Sequence, residues 1–193
     1  MSIFKRNIIL GSQSPRRREL MSGIDLPFTT VTIDVDESYP AELQAGDIPM
    51  YISRSKARAY AHKLLENDLL ITSDTIVWLH GEMLGKPKDE SDAMQMLAKL
   101  SGQTHEVYTA VCFWDKSGEL ETWVDCTKVT FNLLTSDEIE YYVRHYQPMD
   151  KAGAYGVQEW IGYVGVTRME GSYYNVMGFP ICHVYERIKK YLY

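Results

Sequence analysis

The sequence predicts a mixed α/β fold, one domain over residues 1–193, and three observations carry that prediction. Short apolar runs too brief for helices alternate with amphipathic segments of helical period. The middle of the chain is rich in strands, which breaks a strict strand–helix alternation and favours a mixed sheet over a doubly wound parallel one. Composition is that of a globular protein, with 45% hydrophobic and 24% charged residues, and the length suffices to bury a core.

Ile8-Ile9-Leu10 reads as the first strand, and Gly11 to Ser14 as a tight turn. Ser14 is a good N-cap and Pro15 suits the first helical position, so a helix carrying Arg16, Arg17 and Arg18 follows. Unpaired backbone N–H groups beside guanidinium groups suit a polyphosphate, although capped basic helices are also common as solvated faces. Phe28 to Ile33 alternates as a strand, and Asp34 to Pro49 is an acidic, turn-rich loop. From Asp47, taken as a cap, apolar residues recur at helical spacing through to Leu65.

Leu69 to Ser73 and Thr75 to Leu79 are strand-like, with Asp74 inside or between them, and His80-Gly81-Glu82 turns the chain back. After the break at Gly85-Lys86-Pro87, a helix is predicted over Glu90 to Leu100, ended by Ser101-Gly102. Two long strands, about 105–114 and 121–134, are joined by the hairpin turn Asp115 to Gly118. Ser136 is taken as the cap of a helix that ends before Pro148. Six glycines between Gly153 and Gly178 suggest sharp turns and close backbone approach, and Pro180 to Tyr193 closes the chain as a helix.

A net charge of −6 argues against general nucleic-acid binding, so an anionic ligand must meet a local basic pocket. Cys112, Cys126 and Cys182 are too widely spaced for a disulfide framework or a zinc site and read as buried thiols in a reducing compartment. No charged-then-apolar leader precedes Gly11, and no apolar run approaches the roughly 18 residues needed to cross a bilayer. The expectation is a cytoplasmic protein without membrane or nucleic-acid partners.

Asp74, flanked by apolar strand residues, needs a compensating metal or cation. Asp36 and Glu37 are candidates to join it, since Mg²⁺ is usually held by one or two carboxylates together with phosphates and water. Lys56 and Lys86 are each most simply solvated lysines, and only their convergence on one site would give them a phosphate role. Gly81 to Pro87 fails the nucleotide P-loop pattern, and the dinucleotide fingerprint, zincin and nucleophile-elbow motifs are all missing.

Taken together, Ser12-x-Ser14-Pro15-Arg16-Arg17, Asp36-Glu37, Lys56-Ala57, Ser73-Asp74-Thr75, Gly85-Lys86-Pro87, Leu100-Ser101-Gly102-x-x-His105-x-Val107 and Lys151-Ala152-Gly153-Ala154-Tyr155-Gly156-x-Gln158 strongly resemble the Maf family of nucleoside triphosphate pyrophosphatases. The likeness continues through Gly171-Ser172-Tyr173 and Val176-x-Gly178-x-Pro180, in order along almost the whole chain. It implies a fold similar to inosine triphosphatase, with a twisted mixed sheet bent into two lobes around a nucleotide cleft. It implies hydrolysis between the α and β phosphates with a divalent cation, Mg or Mn, giving a nucleoside monophosphate and pyrophosphate.

By the same resemblance Asp74 is the proton acceptor, while Ser12, Arg16, Arg17, Lys56 and Lys86 disperse phosphate charge. Glu37, and Asp74 itself, would hold the metal; base and metal ligand are competing roles for Asp74, and both stay open here. Arg16, Thr75 and Gln158 resemble the trio of the subfamily acting on dTTP, UTP and modified pyrimidine nucleotides, a house-cleaning activity. Subfamily members acting on 7-methyl-GTP carry Tyr, Gln and Glu there. A nucleotide-binding regulator of septum formation is the competing class, and a homodimer is implied by likeness alone. The sequence departs from the usual pattern at Gly11, Arg18 and Gln158-Glu159-Trp160.

Overall fold

A computed structural model describes residues 6–192. Among these, seven strands form one mixed sheet in the order β2-β1-β3-β5-β6-β7, with β4 paired to β3. The strands are β1 (Asn7–Gly11), β2 (Phe28–Thr30), β3 (Asp68–Leu79), β4 (Glu82–Leu84), β5 (Thr104–Asp115), β6 (Gly118–Phe131) and β7 (Val166–Glu170). The helices are α1 (Pro15–Ser22), α2 (Asp47–Tyr60), α3 (Glu90–Leu100), α4 (Ser136–Tyr146), α5 (Trp160–Gly165), α6 (Tyr173–Val176) and α7 (Ile181–Leu192). Strand β1 runs parallel to β2 and β3, whereas β4 on β3 and β7 on β6 are antiparallel. This is the mixed sheet expected from the strand-rich middle.

The chain divides into two compact units, the first comprising 1–74, 109–125 and 178–193, the second 75–108 and 126–177. In the first unit both faces of the sheet are covered. Leu69 and Ile71 of β3 point, with Ile8, Leu10, Val111 and Phe113, to a core completed by Met21 of α1 and by Val184 and Ile188 of α7. The alternate residues Ile9, Leu70 and Cys112 face Ala57 of α2. Period-two alternation thus sorts one strand's side chains onto two helical layers. Each fully buried large side chain contributes about 1.5–3 kcal/mol. In the second unit, α3 packs on α4, and Leu97, Leu100, Ile139 and Val143 of the two helices are buried.

Ser14 caps α1, its hydroxyl accepting from Arg17 N at 3.4 Å, with Pro15 in the first turn. Helix α3 has the expected limits, capped by Asp89 and followed by Gly102 at φ 68°. In the β5–β6 turn the Asp115 carboxylate accepts from the Ser117 backbone at 2.8 Å and its hydroxyl at 2.6 Å.

Several expectations are corrected. Strand β2 stops at Thr30, although Val31 N still reaches Leu10 O at 3.0 Å. Gly46, not Asp47, is the N-cap of α2, and Asp47 lies in its first turn; the helix ends at Tyr60 and passes into a 3-10 turn over Ala61–Lys63. Thr135, not Ser136, caps α4, because Glu138 lies three residues on and completes a capping box. The glycine-rich stretch contains β7 as well as turns, because antiparallel pairing with Lys128 to Phe131 supplies its hydrogen bonds. No described helix is long and apolar enough to cross a membrane. Of the three cysteines, none disulfide-bonded, only Cys112 is buried; Cys126 and Cys182 are exposed.

Candidate functional site

Strand β3 is unbroken, so Asp74 lies within it, only 8% exposed, rather than in a turn between two strands. Alternation places Leu70, Thr72 and Asp74 on the face toward α2. There Thr72 donates its hydroxyl hydrogen bond to the carbonyl of Ser53 at 2.7 Å, which fixes the helix against the strand. Lys56, one turn after Ser53, then lies beside Asp74, with its Nζ 2.8 Å from Asp74 Oδ1. The same Nζ is 2.8 Å from Glu37 Oε1, so the acidic loop contributes Glu37 to the group. Asp36 is not drawn in: its carboxylate accepts from the Ser38 backbone at 2.9 Å and hydroxyl at 2.8 Å, an exposed local turn.

On the other side of the strand, Arg17 acts through the main chain. Its Nη1 donates to the Ser73 carbonyl at 2.8 Å and its Nε to the Gly178 carbonyl at 2.8 Å, while Ser12 Oγ lies 3.5 Å from Nη1. Ser12 Oγ also accepts from the Ser14 backbone at 3.2 Å, shaping the turn. Arg16, half-buried, adds a second positive charge felt by Arg17. Gly11 lies close beneath this turn, and a Cβ there would come 2.6 Å from Ile33 Cδ1, so that side chain would have to shift to admit one.

Burial pushes the Asp74 carboxyl above the ordinary carboxylate range, and Glu37 pushes it further; Lys56 first and Arg17 second pull it back. Burial likewise lowers the Arg17 guanidinium, while Asp74 supports its charge. The result is an acidic centre under opposing influences, with burial raising it and two cations lowering it. Glu37 and Asp74 both pair with the Lys56 ammonium, and their carboxylates are hard oxygen donors of the kind that Mg²⁺ and Mn²⁺ take together with phosphates and water. No group of three or more His, Cys, Asp or Glu suited to a metal occurs among the described residues.

Thr75, Lys86 and Gln158 belong to the second unit. Thr75, next to Asp74 on β3, is half-buried and points to the opposite face. Lys86 is exposed in its turn, which is tied to the later glycine-rich segment by Gly153 N donating to Gly85 O at 3.0 Å. Gly153 has φ 67°, and a Cβ there would meet Val77 at 2.9 Å, so glycine is required on both counts. Gln158 is half-buried, and its Oε1 is buried without a hydrogen-bond partner among the described residues.

Sequence reasoning missed a cluster beside Gln158. Lys151 is 8% exposed, with its Nζ 2.8 Å from Asp150 Oδ1 and 3.2 Å from Glu159 Oε1. Tyr142 donates a short hydrogen bond to the other oxygen of Glu159. Lys151 falls inside a motif of the family likeness and Glu159 among the departures from it, whereas nothing in the sequence separates Tyr142 from the other tyrosines of α4. The carbonyls of Ser73 and Gly178 that hold Arg17 carried no side-chain signal at all.

The profile of a family described as Maf-like protein matches residues 7–191. A protein from Bacteroides thetaiotaomicron named dTTP/UTP pyrophosphatase is 53% identical over 191 residues, covering 96% of each chain. Another of that name from Flavobacterium psychrophilum is 51% identical over 178 residues, covering 92% of this chain and 91% of its own. Among solved structures, a HAM1 protein from Coxiella burnetii aligns over 96% of this chain and 99% of its own with a TM-score of 0.52 at 12% identity. The Staphylococcus aureus Ham1 protein aligns over 94% and 100% with a TM-score of 0.50 at 16% identity. At such identities the likeness is one of fold, and it agrees with the inosine-triphosphatase-like sheet expected from the sequence.

Proposed function

Because the chain belongs to the Maf family, we propose that it hydrolyses dTTP and UTP, and modified pyrimidine nucleotides, to the nucleoside monophosphate and pyrophosphate, with residues 1–193 working as one domain. The observation that carries the reading is Asp74: a carboxylate 8% exposed, raised by burial, and paired at 2.8 Å with Lys56. In the proposed step Asp74 takes the proton of a water whose oxygen attacks the α-phosphorus. The bond from that phosphorus to the α–β bridging oxygen breaks, and pyrophosphate leaves with the electron pair. Arg17, tied to the carbonyls of Ser73 and Gly178, holds the main chain that carries Asp74 and adds its charge. Ser12, Arg16, Lys56 and Lys86 are assigned to the phosphates, whose developing charge they disperse.

Glu37, with Asp74, would hold a Mg²⁺ or Mn²⁺, which when bound neutralises phosphate charge. Arg16, Thr75 and Gln158 are assigned to substrate selection, and the Gln158 carboxamide, both donor and acceptor, suits a uracil or thymine edge. Unbonded cysteines support a reducing compartment, hence the cytoplasm, as the place of action. A homodimer belongs to the same reading.

The test is pyrophosphate release by the purified protein from dTTP, UTP, dCTP, dGTP and 7-methyl-GTP with Mg²⁺ or Mn²⁺. Preference for dTTP and UTP, and a loss of about 10²–10⁴-fold in Asp74→Asn with nucleotide binding retained, is expected. Ordinary turnover in Asp74→Asn would refute the assigned base, and a preference for 7-methyl-GTP would refute the assigned substrate. Binding without turnover would favour the regulator of septum formation.

A further inference from the structure

We propose that Tyr142, Glu159 and Lys151 form a positioning device that sets the main chain of Gln158 and thereby the preference for uracil and thymine bases. This rests on the reading that Gln158 meets the base. The hydroxyl of Tyr142 works in two directions: it accepts from Gly156 N at 2.9 Å and donates to the Glu159 carboxylate. One oxygen therefore grips the chain two residues before Gln158 and one residue after it. The second carboxylate oxygen of Glu159 is held by the buried ammonium of Lys151 at 3.2 Å, and Asp150 shares that ammonium.

The backbone between these anchors has little freedom. The Glu159 carboxylate folds back over Gly156 so closely that a Cβ there would lie 2.7 Å from Glu159 Cδ. Helix α5 presses on the carbonyl of Val157, since a Cβ on Gly162 would fall 1.8 Å from that oxygen. Val157 itself is buried. Gln158 is thus fixed on both flanks while its own Oε1 stays buried and unpartnered among the described residues. An unpaired buried acceptor favours a ligand that brings an N–H donor. Uracil and thymine carry one at N3, whereas N3 of cytosine is itself an acceptor, so the exact placement of this oxygen separates the two classes of base.

Tyr142 is fully buried, and burial together with the neighbouring Glu159 raises its hydroxyl well above the ordinary range, so it remains a neutral donor in the working pH range. Tyr142→Phe removes the hydroxyl and keeps the ring. Its KM for UTP should rise about tenfold with kcat within about threefold of the parent, and the preference for UTP over CTP should shrink. The inhibition constant of inorganic pyrophosphate, which has no base, should not move. Glu159→Ala should reproduce Tyr142→Phe, the double variant should be no worse than either single change, and Glu159→Gln, which still accepts from Tyr142, should recover most of the loss.

An unchanged KM and base preference in Tyr142→Phe would overturn the proposal, leaving the cluster a stability element. So would a pyrophosphate constant that rises in step with KM, because the damage would then be general. Failure of the underlying function is distinguishable: the unaltered protein then releases no pyrophosphate from dTTP or UTP, and the positioning role falls with it.

Discussion

Replacing Lys56 with methionine keeps most of the side-chain volume of a residue only 11% exposed but removes the charge 2.8 Å from Asp74. Two unit charges 4 Å apart attract by about 4 kcal/mol at an effective dielectric constant of 20, and the closer pair here by somewhat more. Part of that is already offset by the cost of desolvating the ammonium, and what remains is lost in the variant, so the carboxyl should titrate higher there. The direction follows from the forces on Asp74: burial raises it, Lys56 is the largest opposing influence, and Arg17 alone among the named cations then remains. A base must be ionised, so the acid limb of kcat should move up by the same amount. Turnover lost at pH 7 should return as pH is raised.

Stability carries the same signature. A carboxyl whose folded-state value is raised favours the protonated fold; its contribution is present below the unfolded value and is lost as pH rises through the folded one. Lys56→Met extends that loss to higher pH, so the variant's deficit in unfolding free energy should narrow on acidification. Pyrophosphate release from UTP between pH 5.5 and 9.5, with urea melts over the same range, makes the measurement. An acid limb that does not move while KM alone rises would refute the reasoning. It would make Lys56 a phosphate ligand with no part in tuning Asp74.

Two further outcomes follow from buried polar groups. Ser73 is fully buried and its hydroxyl has no partner among the described residues, whereas its carbonyl holds Arg17; Ser73→Ala should therefore raise stability by up to about 1 kcal/mol in denaturant melts and leave kcat intact. A loss of stability would contradict this. His105 is buried against Tyr155, 2.7 Å from its hydroxyl, and burial lowers its pKa to about 4 from 6.5. Between those values the unfolded chain takes a proton that the folded one refuses, so stability should fall by up to about 3 kcal/mol as pH drops from 6.5 to 4. His105→Gln should flatten that slope, and an unchanged slope would assign it to other groups.

Local chemistry was legible in the residues. Ser14 with Pro15, the Glu90-to-Leu100 span of α3 and the Asp115 turn depend on groups within a few positions of one another, so neighbouring residues suffice to specify them. Where a cap slipped by one residue, as at Thr135, two adjacent side chains were both competent, and a glutamate three residues on chose between them. The family likeness, a matter of residue order alone, was equally accessible, and with it the mixed sheet.

What surrounds Asp74 is another matter. Its partner Lys56 is 18 positions away, and the carbonyls that hold Arg17 are 56 and 161 positions away. Strand register, helix seating and the burial that shifts the carboxyl exist only once the layers have packed, because a backbone carbonyl is the same group at every position until the fold aims one at a guanidinium. Composition and motif order therefore determined the chemical vocabulary of this protein. Tertiary structure alone decided that Asp36 turns back on Ser38 while Glu37 joins Lys56, and that the hydroxyl of buried Tyr142 grips the chain around Gln158.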